Sequence, residues 1–284
     1  MILVDYSQVC ISNLMQQITF VPKIEENLIR HMILNSIRSY KMKFGNQYGP
    51  MVICCDGRNY WRKNVFQYYK ANRKKTRDDS PLDWQEIFEM LNKIRDEIAE
   101  SFPYRVMLVP EAEADDIIGV LAVDASKTGE KLLILSGDKD FAQLQRYPGI
   151  TQYAPIQKKF IVEKNPIRFL QEHILRGDSG DGIPNILSAD DCFINGRQSP
   201  LRQSKIDEWI GSGLPLETVF ASNSKLLKNY HRNREMVDLT FIPLNIQERI
   251  RAEFEKPLAK SRGGLFNYFI KHNLKNLQEH IGEF

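Results

Sequence analysis

The sequence is poor in the residues that build zinc sites and histidine-led catalytic sites. Its 284 residues include four cysteines and five histidines. Cys10, Cys54, Cys55 and Cys192 contain no Cys-x-x-Cys spacing, which argues against a zinc cluster. Cys54 and Cys55 lie in an apolar run, where buried free thiols are expected. Free thiols point to a reducing, intracellular setting, and the cytoplasm is the expected location. The histidines, His31, His173, His231, His272 and His280, show no ligand spacing such as His-x-x-x-His. Any catalysis must therefore come from other side chains. No stretch approaches the ~18 apolar residues that a membrane span requires. The apolar start, Met1 to Val4, is too short for a signal peptide.

An excess of one charge sign is also lacking. Lys and Arg number 39 and Asp and Glu 36, for a net charge of +3. Charged residues make up 26% and hydrophobic ones 42%, ordinary globular values that exclude disordered, collagenous and coiled-coil classes. A chain of this length buries about 75% of its unfolded surface and needs no disulfide to fold. The near-neutral total averages two opposed features.

The first is acidic. Short apolar runs at Ile2–Tyr6, Met51–Cys55, Tyr104–Val109 and Lys131–Leu135 read as buried strands, with a shorter one at 151–154. Helical patterns at 25–44 and 82–101, and a helix starting near Asp115, alternate with them. Such alternation implies βαβ units and a mainly parallel sheet over residues 1–160. Beyond 160 the strand signal stops. Segments 166–176, 204–211, 216–230, 245–255 and 264–280 read as helices, giving a smaller helical region over 161–284. No internal repeat is present.

Each of the four clearest strands ends at or near acids. Asp5 ends the first and Asp56 the second. The third leads to Glu111, Glu113, Asp115 and Asp116, the fourth to Asp138 and Asp140. One such acid alone is ordinarily a helix cap. The full set converges if the strands are parallel neighbours, because ligands bind beyond the carboxyl ends of such strands. Two carboxylates 4 Å apart repel by about 4 kcal/mol at an effective dielectric of 20. A hard divalent ion such as Mg²⁺ relieves that repulsion, and a pair of such ions suits phosphodiester hydrolysis.

The second feature is basic. Residues 58–77 hold eight Lys or Arg, no acid, and the aromatics Tyr60, Trp61, Phe66, Tyr68 and Tyr69. Basic groups neutralise phosphates and aromatic rings stack on unpaired bases, so the segment suits a nucleic-acid strand held over the acids. The plain alternative is a solvated helix whose aromatics pack on the core. Arg62 and Lys70 are the candidates to stabilise charge on a scissile phosphate. Arg73, Lys74, Lys75 and Arg77 are expected to follow the backbone. Farther on, Gly177-Asp178-Ser179-Gly180-Asp181-Gly182-Ile183-Pro184 demands tight or positive-φ geometry. Its N–H groups, including those of Gly180 and Gly182, could grip a phosphate backbone. Asp178 and Asp181 could instead reach the acidic cleft.

These pieces together resemble the 5′-nuclease superfamily of flap endonucleases and polymerase-associated 5′ nucleases. Glu113-Ala114-Asp115-Asp116 is similar to that family's helix start. Gly137-Asp138-Lys139-Asp140-Phe141-Ala142-Gln143-Leu144 resembles its Gly-Asp-x-Asp-x-x-Gln-Leu element, and 177–184 its Gly-Asp-x-x-Asp-Asn-Ile-Pro turn. Tyr60-Trp61-Arg62, Tyr68-Tyr69-Lys70 and the end from Asn267 to Phe284 resemble the ribonuclease H group of T-even-type phages.

The resemblance implies a PIN-like α/β fold with a helix–three-turn–helix in the helical region. It implies a 5′→3′ exonuclease with flap endonuclease activity that removes RNA primers from lagging-strand fragments. For a phage-encoded chain the location would be the host cytoplasm. Asp5, Asp56, Asp115 and Asp138 would surround a first Mg²⁺, and Glu113, Asp140, Asp178 and Asp181 a second, with Asp116 behind them. Mn²⁺ can substitute for Mg²⁺ in this scheme. Arg62, Tyr69 and Lys70 match the family's bridge segment, here 58–80, which holds the strand.

Expected substrates are RNA–DNA hybrids and nicked or flapped duplexes. The C-terminal helices, with Lys271 and Lys275, are the expected contact for a single-strand DNA-binding protein. The chain starts four residues before Asp5, so a clamp-binding N-terminal tail is not expected. Asn185 to Ala189 lack the glycines of the family's monovalent-ion hairpin, so that site is not expected either. A monomer is the default. The alternatives are a PIN-type single-stranded ribonuclease and a DNA-binding factor without catalysis.

Overall fold

The computed structural model describes residues 1–18, 25–258 and 262–284. β1 (Ile2–Asp5) runs directly into α1 (Tyr6–Ile18), followed by α2 (Glu26–Tyr48) and β2 (Met51–Cys55). The basic segment forms two short helices, α3 (Trp61–Val65) and α4 (Asn72–Asp78). Then come α5 (Trp84–Ser101), β3 (Arg105–Leu108), α6 (Ala114–Thr128) and β4 (Leu132–Leu135). A 3₁₀ helix, Lys139–Arg146, leads to β5 (Ile150–Ala154) and β6 (Lys159–Ile161). The rest is helical: α7 (Pro166–Arg176), α8 (Cys192–Asn195), α9 (Gln203–Gly211), α10 (Leu216–Phe220), α11 (Ser224–Val237), α12 (Leu244–Glu255), α13 (Leu265–Lys271) and α14 (Lys275–Gln278).

The sheet order is β3-β2-β1-β4-β5-β6. The first five strands are parallel, and β6 pairs antiparallel with β5. This is the expected PIN-like α/β arrangement. Strand order reverses between β1 and β4, so the crevice beyond those two strands is the topological switch point.

Alternation along the strands divides the core into two layers. Ile2, Val4, Ile53, Cys55, Leu133 and Leu135 face α1, α2 and α5. Leu3, Val52, Cys54, Met107, Leu132 and Ile134 face α6, the 3₁₀ helix and α12. A third core gathers Leu170, Ile174 and Leu175 of α7 with Ile206, Trp209, Phe220, Tyr230 and Val237. Phe66 and Tyr69 of the basic segment belong to it. Residues 161–284 are thus shared: α7, α9, α10 and α11 build the third core, whereas α12, α13 and α14 return to the sheet.

Several elements differ from expectation. α1 was not anticipated, although Tyr6, Val9, Cys10 and Leu14 give it a buried face at helical spacing. It follows Asp5 with no loop, so strand and helix patterns merge. The expected helix 216–230 is broken at Asn223, whose side chain accepts from Leu226 N and starts α11 anew. The stretch 264–280 is likewise split, at Asn273, whose φ of +53° ends a helix. All four cysteines are free and buried. No helix among the described residues is long and apolar enough to cross a membrane.

Phe102 locks the C-terminal return. It is fully buried and meets Tyr268, Phe269 and Phe284 with ring centroids 5.1, 6.0 and 5.4 Å away. Phe102→Ala should cost about 3–5 kcal/mol in urea unfolding. A loss below 1 kcal/mol would show that the C-terminal helices are not anchored there.

Candidate metal centre and nucleic-acid cleft

Asp5, at the end of β1, accepts from Gln8 N at 3.1 Å and from Ser136 Oγ at 2.9 Å. Asp138, after β4, accepts from Asp140 N at 2.9 Å. Asp56, after β2, accepts from Ala114 N at 3.0 Å and ties itself to the start of α6. These acids are therefore helix caps and site residues at once. The strand ends place them, and the caps fix their rotamers.

Their charges are poorly compensated. Burial, then the nearby Asp56, pushes Asp5 up to about 7. Burial, then Asp140, pushes Asp138 up to about 6. Asp115 is raised well above the carboxylate range by burial and by Asp138 and Asp5. Repulsion thus links Asp5 with Asp56 and Asp138, and Asp115 with Asp5 and Asp138, beyond the ends of the central strands. Among the described residues, none of these four makes an ion pair with Lys or Arg.

The other expected acids divide in two. Glu113 is fully buried at the start of α6, 2.9 Å from Arg62 and 2.5 Å from Lys70, and accepts from Tyr69 Oη at 2.9 Å. Burial opposes its ionisation, but Lys70 and Arg62 outweigh burial and hold it below the usual range. Asp181 pairs with Arg73 and accepts from Tyr69 Oη at 3.2 Å. Asp140 and Asp178 lie apart from this network, beside His173. The sequence reading passed over His173 because it stands alone on its helix. Ligand-spacing rules see only groups on one element.

Two expected roles need correction. Arg62 is 3% exposed, with Nε donating to Met236 O and Nη1 held between Glu113 and Asp116. It cannot meet a phosphate without abandoning two buried carboxylates, so it acts as a positioning residue. Tyr69 is also 3% exposed and belongs to the third core, so its ring is not a stacking platform. Lys70, Arg73, Lys74 and Arg77 instead line a cleft of ≈ 490 Å³ with Tyr60, Trp84 and Phe88. A second cavity of ≈ 540 Å³ shares Tyr60 and Phe88 with it and reaches Asp56, Arg58 and Arg95. The two cavities are neighbours through Tyr60 and Phe88, and of the four grouped acids the second reaches Asp56. The side chain of Lys75 lies outside the described set.

The Gly-Asp turn is held from both sides. Gly177 has φ +65°, and a Cβ there would lie 2.3 Å from Ile183 O. Gly182 has φ +72° and abuts Tyr68 O of the basic segment. Lys70 N donates to Asp181 O at 2.7 Å. Buried Asn233 donates to Ile174 O and Pro184 O, and Asn229 to Ile186 O and Ser188 O. These asparagines on α11 carried no sequence signal, because an Asn inside a helix ordinarily faces solvent. Gly180 is exposed at the tip of the turn. The helix after the turn, α8, has only four residues.

Two family models cover the chain. One describes the 5′–3′ exonuclease N-terminal resolvase-like domain and matches residues 23–171. The chain belongs to the 5′–3′ exonuclease family. The other model, the T4 RNase H C-terminal part, matches 168–284. The ribonuclease H of enterobacteria phage T4 is 33% identical over 99% of this chain and 95% of its own length. A 5′–3′ exonuclease of Buchnera aphidicola is 32% identical over 54% of both chains. The fold is shared with the phage T5 flap endonuclease, solved with DNA and metal ions, at a TM-score of 0.66 and 12% identity. That likeness covers 89% of this chain and 97% of the other. A zinc-bound T5 5′-exonuclease aligns with a TM-score of 0.62 and 14% identity, over 90% and 98% of the two chains.

The raised acids set a pH dependence. Folded Asp5 and Asp138 hold protons that the unfolded chain, with carboxyls near 3.8, has released. The folded state then binds more protons, so metal-free stability falls as pH rises from about 4 to about 7. A divalent ion held by these acids would bind their deprotonated form, so its stabilising effect should grow across that window. Melting temperatures in EDTA and in Mg²⁺ from pH 5 to 8 check this. A constant gap between the two curves would refute it. Separately, Arg62→Ala should cost about 3–5 kcal/mol by leaving Glu113 and Asp116 buried together. A near-neutral effect on unfolding would contradict its positioning role.

Proposed function

We propose that the protein is a Mg²⁺-dependent 5′→3′ exonuclease and flap endonuclease that removes RNA primers from lagging-strand DNA. The observation that carries this reading is the uncompensated group Asp5, Asp56, Asp115 and Asp138 at the switch point. Its donor atoms are all carboxylate oxygens, the set a hard divalent ion takes. The raised affinity of Asp5, Asp115 and Asp138 for protons marks a place where positive charge is wanted. Asp140 and Asp178 offer a second position nearby, and Mn²⁺ would fit both. Bound there, divalent ions supply an activated water and stabilise the leaving oxygen.

The chain's own groups do the rest. The caps on Asp5 and Asp138 hold the carboxylates rigidly. Arg62 pairs with Glu113 and Asp116 and fixes both at the head of α6, and with Lys70 it keeps Glu113 ionised, whereas burial outweighs Arg62 at Asp116. Lys70, at the solvent edge of that network, is the cation able to face a scissile phosphate. Lys74 and Arg77 neutralise the strand along the basic cleft, and Tyr60 and Trp84 offer ring faces to bases. Arg73 holds Asp181 and the Gly-Asp turn. The expected grip by the turn's N–H groups needs correction, because Gly180 N donates to Asp178 Oδ1 at 2.8 Å and Gly182 N to Ser179 O at 3.3 Å; the exposed tip at Gly180 instead offers close backbone approach to a duplex.

Duplex holding thus falls to the layer of α7 to α11 within 161–284, and catalysis to residues 1–160. Substrates in this reading are RNA–DNA hybrids and nicked or flapped duplexes. One chain supplies every acid of the site, which agrees with a monomer. Exposed Phe266 and Ile270 beside Lys271 form the surface we assign to a single-strand DNA-binding protein.

A 5′-labelled RNA–DNA hybrid and a 5′-flap duplex test the reading. Short 5′ products should appear with Mg²⁺ and not with EDTA. Asp138→Asn should abolish cleavage while keeping substrate affinity within about threefold. Normal turnover by that variant would overturn the assignment of the acids. Cuts confined to free single-stranded RNA would favour a PIN-type ribonuclease, and binding without any cleavage a non-catalytic factor.

A further inference from the structure

His173 has no part in the reading above, yet its position is built. It sits on α7, 6% exposed, its ring tilted against Phe169 with centroids 5.8 Å apart. Nε2 lies 2.9 Å from Asp140 Oδ1 and 3.8 Å from Asp178 Oδ2. At 2.9 Å an imidazole N–H ordinarily donates to a carboxylate. The bond directions here do not allow it: both Nε2 and Asp140 Oδ1 are buried and neither has a hydrogen-bond partner among the described residues. Leaving a buried polar atom unpaired costs about 1–3 kcal/mol. Two such atoms side by side, with a carboxylate oxygen beside them, call for a third body that all of them can face.

The spacing matches a coordination shell. Ligand atoms on adjacent vertices of an octahedron with bonds of about 2.1 Å are about 3.0 Å apart. One donor atom each from Asp140, His173 and Asp178 lie within 4.8 Å of one another. They come from three elements: the 3₁₀ helix, α7 and the Gly-Asp turn. The turn is pinned by Asn233, and Asp140 is pinned by Gln143, whose amide donates to Asp140 O and Val237 O. Lys139 lies 2.8 Å from Asp178 Oδ2 and shares its charge. Its side chain is 57% exposed and can leave for solvent without loss of packing.

We propose that His173 Nε2 directly ligates a divalent ion together with Asp140 and Asp178. The nitrogen donor makes this position favour a first-row transition ion over Mg²⁺ more strongly than the all-oxygen group of Asp5, Asp56, Asp115 and Asp138 does. Imidazole suits borderline ions, and Mg²⁺ keeps to oxygen and water. The inference rests on the reading that these acids hold divalent ions. The site would give the enzyme two unlike ion positions, one hard and one borderline.

Pulsed EPR of the full chain loaded with two equivalents of Mn²⁺ tests it. A ¹⁴N coupling typical of a directly bonded imidazole should appear in the wild type and vanish in His173→Gln. Calorimetry with Mn²⁺ and with Mg²⁺ gives the second readout. Losing even an outer partner of a metal ligand costs roughly 10–100-fold in affinity. His173→Gln should therefore weaken one Mn²⁺ site at least 10-fold and Mg²⁺ binding less than about threefold. Mn²⁺ bound without nitrogen coupling would overturn the ligand assignment and leave the metal reading standing. Equal losses for Mn²⁺ and Mg²⁺ would make His173 a spacer and overturn it too. Failure of the wild type to bind Mn²⁺ at all would overturn both. If the variant does not fold, the wild-type spectrum alone decides.

Discussion

The constraint on which the structure depends is the repulsion among carboxylates gathered at one end of the sheet. Parallel strands deliver Asp5, Asp56, Asp115 and Asp138 to the switch point, and Glu113 and Asp116 stand directly behind them. Burial makes this arrangement costly. The fold meets the cost differently on its two sides. Behind the cleft, Arg62 and Lys70 neutralise Glu113 and Asp116 with protein charge. At the cleft itself, among the described residues, no Lys or Arg forms an ion pair with the acids, and burial with mutual repulsion raises the proton affinity of Asp5, Asp115 and Asp138. The contrast separates a salt network from the acids that we propose take divalent ions.

The same network joins the parts of the molecule. Glu113 belongs to the α/β layer, Arg62, Tyr69 and Lys70 to the basic segment, and Asp181 to the Gly-Asp turn. Tyr69 Oη bridges Glu113 and Asp181. The basic segment is therefore anchored at two points, by charge at the sheet and by Phe66 and Tyr69 in the third core. Lys74 and Arg77 line the adjacent cleft, and Arg73 lines it while pairing with Asp181. A segment rich in like charge would otherwise repel itself into solvent. Its anchors convert it into a wall of the cleft.

Much of the fold was legible in the sequence. Four of the five parallel strands announce themselves as short apolar runs, and acids follow each of the four because a strand end is where a charge can leave the core. α1 was hidden because it follows β1 without a turn residue. The break at Asn223 was hidden because a capping Asn inside an apolar-periodic stretch looks like an ordinary polar position. β6 was hidden as three residues of an antiparallel edge strand.

The sequence by itself determined the acids, the basic cover and the turn, since each is a local pattern of residue type and spacing. Only the tertiary structure decided which charges face one another. It buried Arg62 and Tyr69, which composition alone had placed on a nucleic-acid strand. It drew Glu113 and Asp181 into a salt network and left Asp140 and Asp178 to His173. Such pairings depend on distances between elements far apart in the chain. Electrostatic energy falls with separation and burial, neither of which is written in the order of residues.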